Sequence, residues 1–228
     1  EVVDHCKTLP IDELMINTNG LALLESDTLA AELADRKPGL ELYLQMDGLD
    51  AESHRALRGA DLLEKKRAVI DKIVEHDLPT TLVSTVVKGV NEAQLGKLLR
   101  LGLNTRQLRG ITFQPATWSG RFSRGTDRLD RVNLADVVRL VVEQSRGLFS
   151  EDDFKPLPCA DPNCCSFTFA ARARRRPALP LTRIVRYEDH LDRLSDRMNF
   201  NLTDARECCG TRWRAEDLFR VVIKPFMD

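Results

Sequence analysis

The side chains best able to do chemistry in this sequence are its cysteines, and five of the six stand in two groups. Cys159, Cys164 and Cys165 form one group, and Cys208 and Cys209 form the other. Cys6 stands alone in a helical stretch, which argues against its being a ligand. Thiolates are soft donors that suit iron–sulfur clusters and zinc. Two adjacent cysteines do not easily place both sulfurs on one ion, so one of each neighbouring pair has another role. Pro158 and Pro162 stiffen the first loop. Spacing alone leaves three readings open: an iron–sulfur cluster, a structural zinc, or buried free thiols. A disulfide scaffold fits poorly, because such scaffolds are short and poor in core residues. Reduced cytoplasmic thiols fit better.

The histidines form no constellation. His54 and His76 fall on helices, His190 in a charged stretch and His5 near the start, so all four read as surface or structural groups. No GxSxG, P-loop or HExxH pattern is present, which removes the usual hydrolase, NTPase and zincin signatures. A second set of polar groups sits where apolar runs end: Thr18-Asn19-Gly20, Gln45 with Asp47-Gly48, Thr85 with Lys88, and Gln114-Pro115.

Strands and helices must present those groups, and the pattern supplies them in alternation. Short strands are expected over 14–17, 40–46, 79–87 and 110–114. Helices are expected between them. Ser26 caps one that carries Leu29 and Leu33. A second runs over about 61–76 with Val69, Ile70 and Ile73 on one face. Asn91 caps a third with Leu95, Leu98 and Leu99. This order predicts right-handed βαβ units and a parallel sheet, its strands apolar on both faces. Ligands bind such sheets beyond the carboxyl ends of the strands, where the polar groups above collect. Past Pro115 a loop rich in Gly, Ser and Arg leads to a helix capped by Asn133. The cysteine segment follows, then an irregular basic stretch over 172–180, and the run from Phe219 to Phe226 reads as a last strand.

The composition is that of an ordinary globular chain: 43% hydrophobic, 30% charged, with a net charge of −1. That balance gives no case for nucleic acid or for an anionic membrane surface. The longest apolar runs, such as 82–87, are far too short to cross a bilayer. The sequence begins at Glu1 and stops soon after its last strand, so both ends read as cuts through a longer folded protein.

Several words at the strand ends, in order, resemble successive strands of the radical S-adenosylmethionine (SAM) enzymes. They are INTNG at 16–20, LYLQMDGLD at 42–50, STVVKGVN at 84–91 and ITFQPATWSGR at 111–121. ESHRALRGADLLEKKRAVI at 52–70 resembles the helix such enzymes place after the Asp-Gly strand. PLPCADPNCC at 156–165 and the closing IKPFMD are similar to a narrower group, the tetraether lipid synthases and pterin methyltransferase-like proteins.

The resemblance implies an α/β fold: the C-terminal part of a partial (β/α)6 barrel over 1–125, then a smaller α+β cysteine-containing extension over 126–228. It implies SAM as cofactor, with Asn19, Gln45 and Asp47 near its ribose or methionine and Thr85 and Gln114 at the next strand ends. It implies a radical-generating [4Fe–4S] cluster whose CxxxCxxC ligands lie outside these 228 residues. It favours an auxiliary [4Fe–4S] cluster on Cys159, Cys164, Cys165, Cys208 and Cys209.

The implied activity is SAM cleavage to a 5′-deoxyadenosyl radical that takes hydrogen from an unactivated carbon, fed by a low-potential electron donor. The substrate is a lipid chain or a pterin-like ring, with Phe113, Trp118 and Phe122 as candidate lining. One rival is a non-catalytic barrel scaffold with a structural zinc. Another is a metal-independent barrel enzyme such as an aldolase, against which no lysine sits inside an apolar strand.

Overall fold

The structure is a computed structural model and describes residues 1–11, 13–117, 131–156, 165–173, 176–190 and 218–224. After the short helix α1 (Val2–Lys7), four strand–helix units follow in order. They are β1 (Leu14–Thr18) with α2 (Ala22–Glu25) and α3 (Leu29–Ala34), and β2 (Leu40–Gln45) with α4 (Ala51–Arg58) and α5 (Leu63–Glu75). Next come β3 (Thr80–Val86) with α6 (Leu95–Asn104), and β4 (Leu108–Pro115) with α7 (Leu134–Gln144). Four more strands complete the described chain: β5 (Lys155–Pro156), β6 (Ser166–Ala173), β7 (Arg176–Pro180) and β8 (Leu218–Ile223).

One sheet holds all of them, in the order β1-β2-β3-β4-β8-β6-β5, with β7 paired to β6. Strands β1 to β4 are parallel, as the alternation of strand and helix requires, and β8 joins β4 in parallel. Strands β5, β6 and β7 run antiparallel. Strands from both sides of residue 125 thus share this sheet.

The strands differ from the expectation of apolar character on both faces. In β2, Leu42 and Leu44 face the helices and share one core with Leu23, Val69, Ile73, Leu82, Leu98, Val141 and Phe219. Burying each of these side chains stabilises by about 1.5–3 kcal/mol. The alternate residues Glu41, Tyr43 and Gln45 face the other way, alongside Thr81 and Val83 of β3 by register. That second face is polar and half-open: Tyr43, Gln45 and Thr85 are only partly buried, and Asn17 is exposed. It is the lumen face of a partial barrel. Phe113, a candidate lining residue, belongs to the helix-side core at 0% exposure, so it cannot line the lumen. Trp118 and Phe122 lie outside the described residues.

Local signals explain the element boundaries. Asp50 caps α4 by accepting from Ser53 N at 2.8 Å, and Gly59, at φ 73°, ends it. The stretch resembling a single helix over 52–70 is thus two helices with a left-handed break between them. Asn133 caps α7 as expected, with a capping box to Asp136. Asn91 makes no helix-capping bond; its side chain is spent elsewhere, as described below. The basic stretch expected to be irregular is the β6–β7 hairpin. Its Arg172 donates to the carbonyls of Thr105 (3.1 Å) and Arg106 (3.0 Å) at the end of α6, and lies 5.0 Å from the Phe219 ring centre.

Candidate functional site at the strand ends

The parallel ladder brings the carboxyl ends of β1 to β4 to one rim, and a buried polar network forms there. Asp47, just past β2, is 1% exposed. Its carboxylate accepts from Arg58 Nε at 2.7 Å and Nη2 at 3.1 Å, and from the Thr85 backbone N–H at 3.0 Å. Arg58 closes the last turn of α4, and 29% of its side chain remains exposed. Its Nη2 also lies 3.4 Å from Thr85 Oγ1. With the Gln45 amide turned so that its oxygen faces the guanidinium, Gln45 accepts from Arg58 Nη1 at 3.1 Å. Three of the expected residues, Gln45, Asp47 and Thr85, therefore meet at one guanidinium.

Asn91 stitches the same rim from behind. It donates to Asp47 O at 2.8 Å and Thr85 O at 2.7 Å, and accepts from Val87 N at 2.9 Å. Lys66 of α5 is 2% exposed and donates to Asn19 O at 2.6 Å and Gln45 O at 2.7 Å. Burial pushes its amine down to about 8, although Asp47 pulls the other way. Asn19 is exposed, and its own side chain accepts from Leu21 N at 3.0 Å. Gln114 is 6% exposed and stands beside Thr85 by register.

Arg58, Lys66 and Asn91 were not singled out as site residues from the sequence. Lys66 carried a readable signal: it falls on the apolar stripe of α5 with Val69, Ile70 and Ile73, where a cation has no reason to be unless it has partners. Of the two readings given to His54, surface or structural, the buried position fits the structural one, at 0% exposure. Burial lowers its tendency to hold a proton, against the pull of Asp47. The aldolase rival gains nothing from Lys66, whose amine is turned into backbone carbonyls and closed to a substrate.

Of the expected metal ligands, Cys165 is described: it is buried at 8% exposure just before β6 and forms no disulfide. Cys159, Cys164, Cys208 and Cys209 lie outside the described residues. Among the described residues, no three His, Cys, Asp or Glu side chains gather as metal ligands, and no helix is long and apolar enough to cross a membrane.

The architecture is that of a partial α/β barrel with a polar lumen and a charged rim at the strand carboxyl ends. No protein-family model matches the chain. It is 28% identical to the 7,8-dihydro-6-hydroxymethylpterin dimethyltransferase of Methanocaldococcus jannaschii, over 87% of this chain and 43% of that protein. It is 36% identical to the GTP 3′,8-cyclase of Rhodopseudomonas palustris, over 42% of this chain and 27% of that protein. Among solved structures, SuiB of Streptococcus suis aligns over 63% of this chain and 31% of its own, at 18% identity and a TM-score of 0.49. The chain thus spans less than half the length of the curated relatives it matches. By these sequence relationships the chain is similar to enzymes of the radical SAM superfamily.

Proposed function

We propose that the chain forms the rim and substrate side of a radical SAM enzyme that modifies a pterin-like ring, by alkylation rather than by lipid coupling. The observation that carries the reading is the meeting of Gln45, Asp47 and Thr85 on the Arg58 guanidinium at the strand-end rim. The choice of a ring substrate over a lipid follows the relationship to a pterin dimethyltransferase, which extends over most of this chain.

The residues present fit SAM on one specific test. A zwitterionic nucleoside needs a cation for its carboxylate and hydrogen-bonding groups for its hydroxyls and base. Arg58 supplies a guanidinium already oriented by Asp47, with part of its surface open to the rim. Below it on the same strand face, the Tyr43 hydroxyl is buried with no partner, the mark of a lumen polar group kept for a ligand. When bound at a [4Fe–4S] cluster, SAM supplies a 5′-deoxyadenosyl radical.

This chain's own work is to hold and orient. Arg58 takes the carboxylate, Gln45 and Thr85 present amide and hydroxyl groups, and Asp47 acts through Arg58 because its oxygens are already used. Asn19 and Gln114 flank them on β1 and β4. The thiolates for an auxiliary [4Fe–4S] cluster come from among Cys159, Cys164, Cys165, Cys208 and Cys209, with one of each adjacent pair left for another role. A low-potential reductant and a cytoplasmic setting belong to the same proposal.

The test is made on the full-length protein purified without oxygen: iron, sulfide and zinc content, and release of 5′-deoxyadenosine on reduction with SAM. Iron with sulfide and SAM cleavage supports the enzyme. Zinc without iron and no cleavage sinks it and leaves the zinc scaffold.

A further inference from the structure

We propose that Lys66 is a positioning residue for the strand-end site, its buried ammonium tying the backbone carbonyls of Asn19 and Gln45 together across the ends of β1 and β2. The inference deepens the radical SAM reading and rests on it for the identity of the ligand.

Three observations carry it. Lys66 is 2% exposed on a face of α5 otherwise made of Val69, Ile70 and Ile73, where a leucine or methionine would bury at no electrostatic cost. Its Nζ reaches the carbonyls that end two neighbouring strands, at 2.6 and 2.7 Å. Those carbonyls belong to Asn19 and Gln45, two of the proposed ligand-facing residues.

The turn that Lys66 holds has no slack. Gly20 sits at φ +79°, and a Cβ there would stand 2.7 Å from Leu44 Cδ1 and 2.7 Å from Val69 Cγ1. Gly20 N bonds to Thr18 Oγ1 at 3.0 Å, and Leu21 N bonds to Asn19 Oδ1 at 3.0 Å. The turn is therefore wedged against β2 and α5, and the ammonium joins it to the end of β2. The charged neighbours of Lys66 are Asp47 past β2 and Arg58 on α4, with His54 of α4 beside them. Burial brings the amine down to about 8, so it carries its charge at neutral pH and gives it up in mild alkali. A charged donor holds a carbonyl more tightly than a neutral one.

The test compares the full-length, cluster-bearing protein with its Lys66→Met variant. Two quantities are read: amide hydrogen exchange at Gly20, Leu21 and Met46, and SAM binding through the change SAM causes in the cluster's EPR spectrum. The variant is expected to exchange those amides faster and to bind SAM about tenfold more weakly, the scale of losing a supporting hydrogen bond. Amides of β4 and α6 are expected to stay protected.

Wild-type exchange at the three amides within Lys66→Met overturns the proposal. If wild-type protein gives no SAM response, the radical SAM reading fails, while the exchange result still decides the role of Lys66. If the variant loses protection everywhere, wild-type protein decides instead. Raising the pH from about 7 to about 9.5 should loosen the three amides relative to β4, after correction for intrinsic exchange. No relative change overturns the proposal.

Discussion

A single substitution, Glu13→Gln, tests how the floor of the barrel is held. At the amino ends of the strands, Glu41 of β2 accepts from the Thr81 hydroxyl of β3, and Arg220 of β8 lies 3.7 Å from Glu41 Oε1 and 3.3 Å from Thr81 Oγ1. Arg220 reaches them across β4 because the residue in its path is Gly110, in register with Thr81 on one side and Arg220 on the other. A Cβ at Gly110 would stand 3.1 Å from Thr81 Oγ1 and 2.9 Å from Arg220 O. Glu13, just before β1, brings a second carboxyl to Glu41. Burial, and then the charge of Glu41, push Glu13 up from 4.5 to about 7, while Arg220 and Arg109 pull it down.

The sign follows from which state holds the proton more tightly. Glu13 keeps its proton better folded than unfolded. The stability this contributes is complete below about pH 4.5 and is lost as pH rises toward 7. A rise of roughly 2.5 pH units at about 1.4 kcal/mol each sets an upper bound near 3.5 kcal/mol, or about 2 kcal/mol after screening of a partly exposed carboxyl. Glutamine mimics the protonated side chain and does not titrate. In urea unfolding from pH 4.5 to 8, Glu13→Gln should match wild type at the acid end and exceed it by about 2 kcal/mol at the alkaline end. A difference that stays flat across that range refutes the raised titration of Glu13.

Arg58→Met should cost about 3–5 kcal/mol in urea unfolding, because it strands a carboxylate that is 1% exposed with one backbone donor left; a loss below about 1 kcal/mol would remove Arg58 from the rim network. Gly102→Ala should lower the thermal midpoint and cost about 1–3 kcal/mol, since its Cβ would stand 2.4 Å from Phe219 Cζ in the core; an unchanged midpoint would mean that α6 and β8 do not pack as described. Asp153 is raised by burial, but Arg183, Ser150 and Thr182 more than reverse this and bring it down to about 2. Its contribution is therefore present above about pH 4 and lost toward pH 2, and Asp153→Asn should remove that acid slope from a pH series of melting temperatures.

The parallel sheet was readable because two local signals agreed. Apolar runs such as LELYLQ ended in turn residues, and helix signals such as Ser26 and the Val69, Ile70 and Ile73 spacing stood between them. The lumen face was misread for a physical reason. Glu41, Tyr43, Gln45, Thr81 and Thr85 interrupt the apolar runs at every second position, the period of a sheet with one wet face. Hydrophobicity averaged along a strand hides that alternation. The place of β8 was out of reach for another reason: pairing between residues 110–113 and 220–223 is set by contacts across a long sequence gap. Only Gly110 hinted at it, as a glycine inside a strand where another backbone comes close.

The candidate rim network was legible in its acceptors and not in its cations. Asn19, Gln45, Asp47, Thr85 and Gln114 follow from strand ends, since the last residue of each strand is fixed by where the apolar run stops. Arg58 and Lys66 come from helices, and a helix of mixed charge such as LEKKRAVIDKIVE gives no reason to prefer Lys66 over Lys65 until its apolar stripe is drawn. Once it is drawn, Lys66 stands in line with Val69, Ile70 and Ile73, and Lys65 does not. A lysine in such a stripe must either be neutralised or find acceptors, and in a parallel barrel the nearest acceptors are strand-end carbonyls. The same logic accounts for the opposite end of the lumen, where Arg220 crosses a glycine to reach Glu41. Both ends thus place a buried cation from a distant segment against acceptors presented by the parallel strands. At the rim these cations join the strand-end groups to one another, whereas on the floor Arg220 ties β8 to β2 and β3.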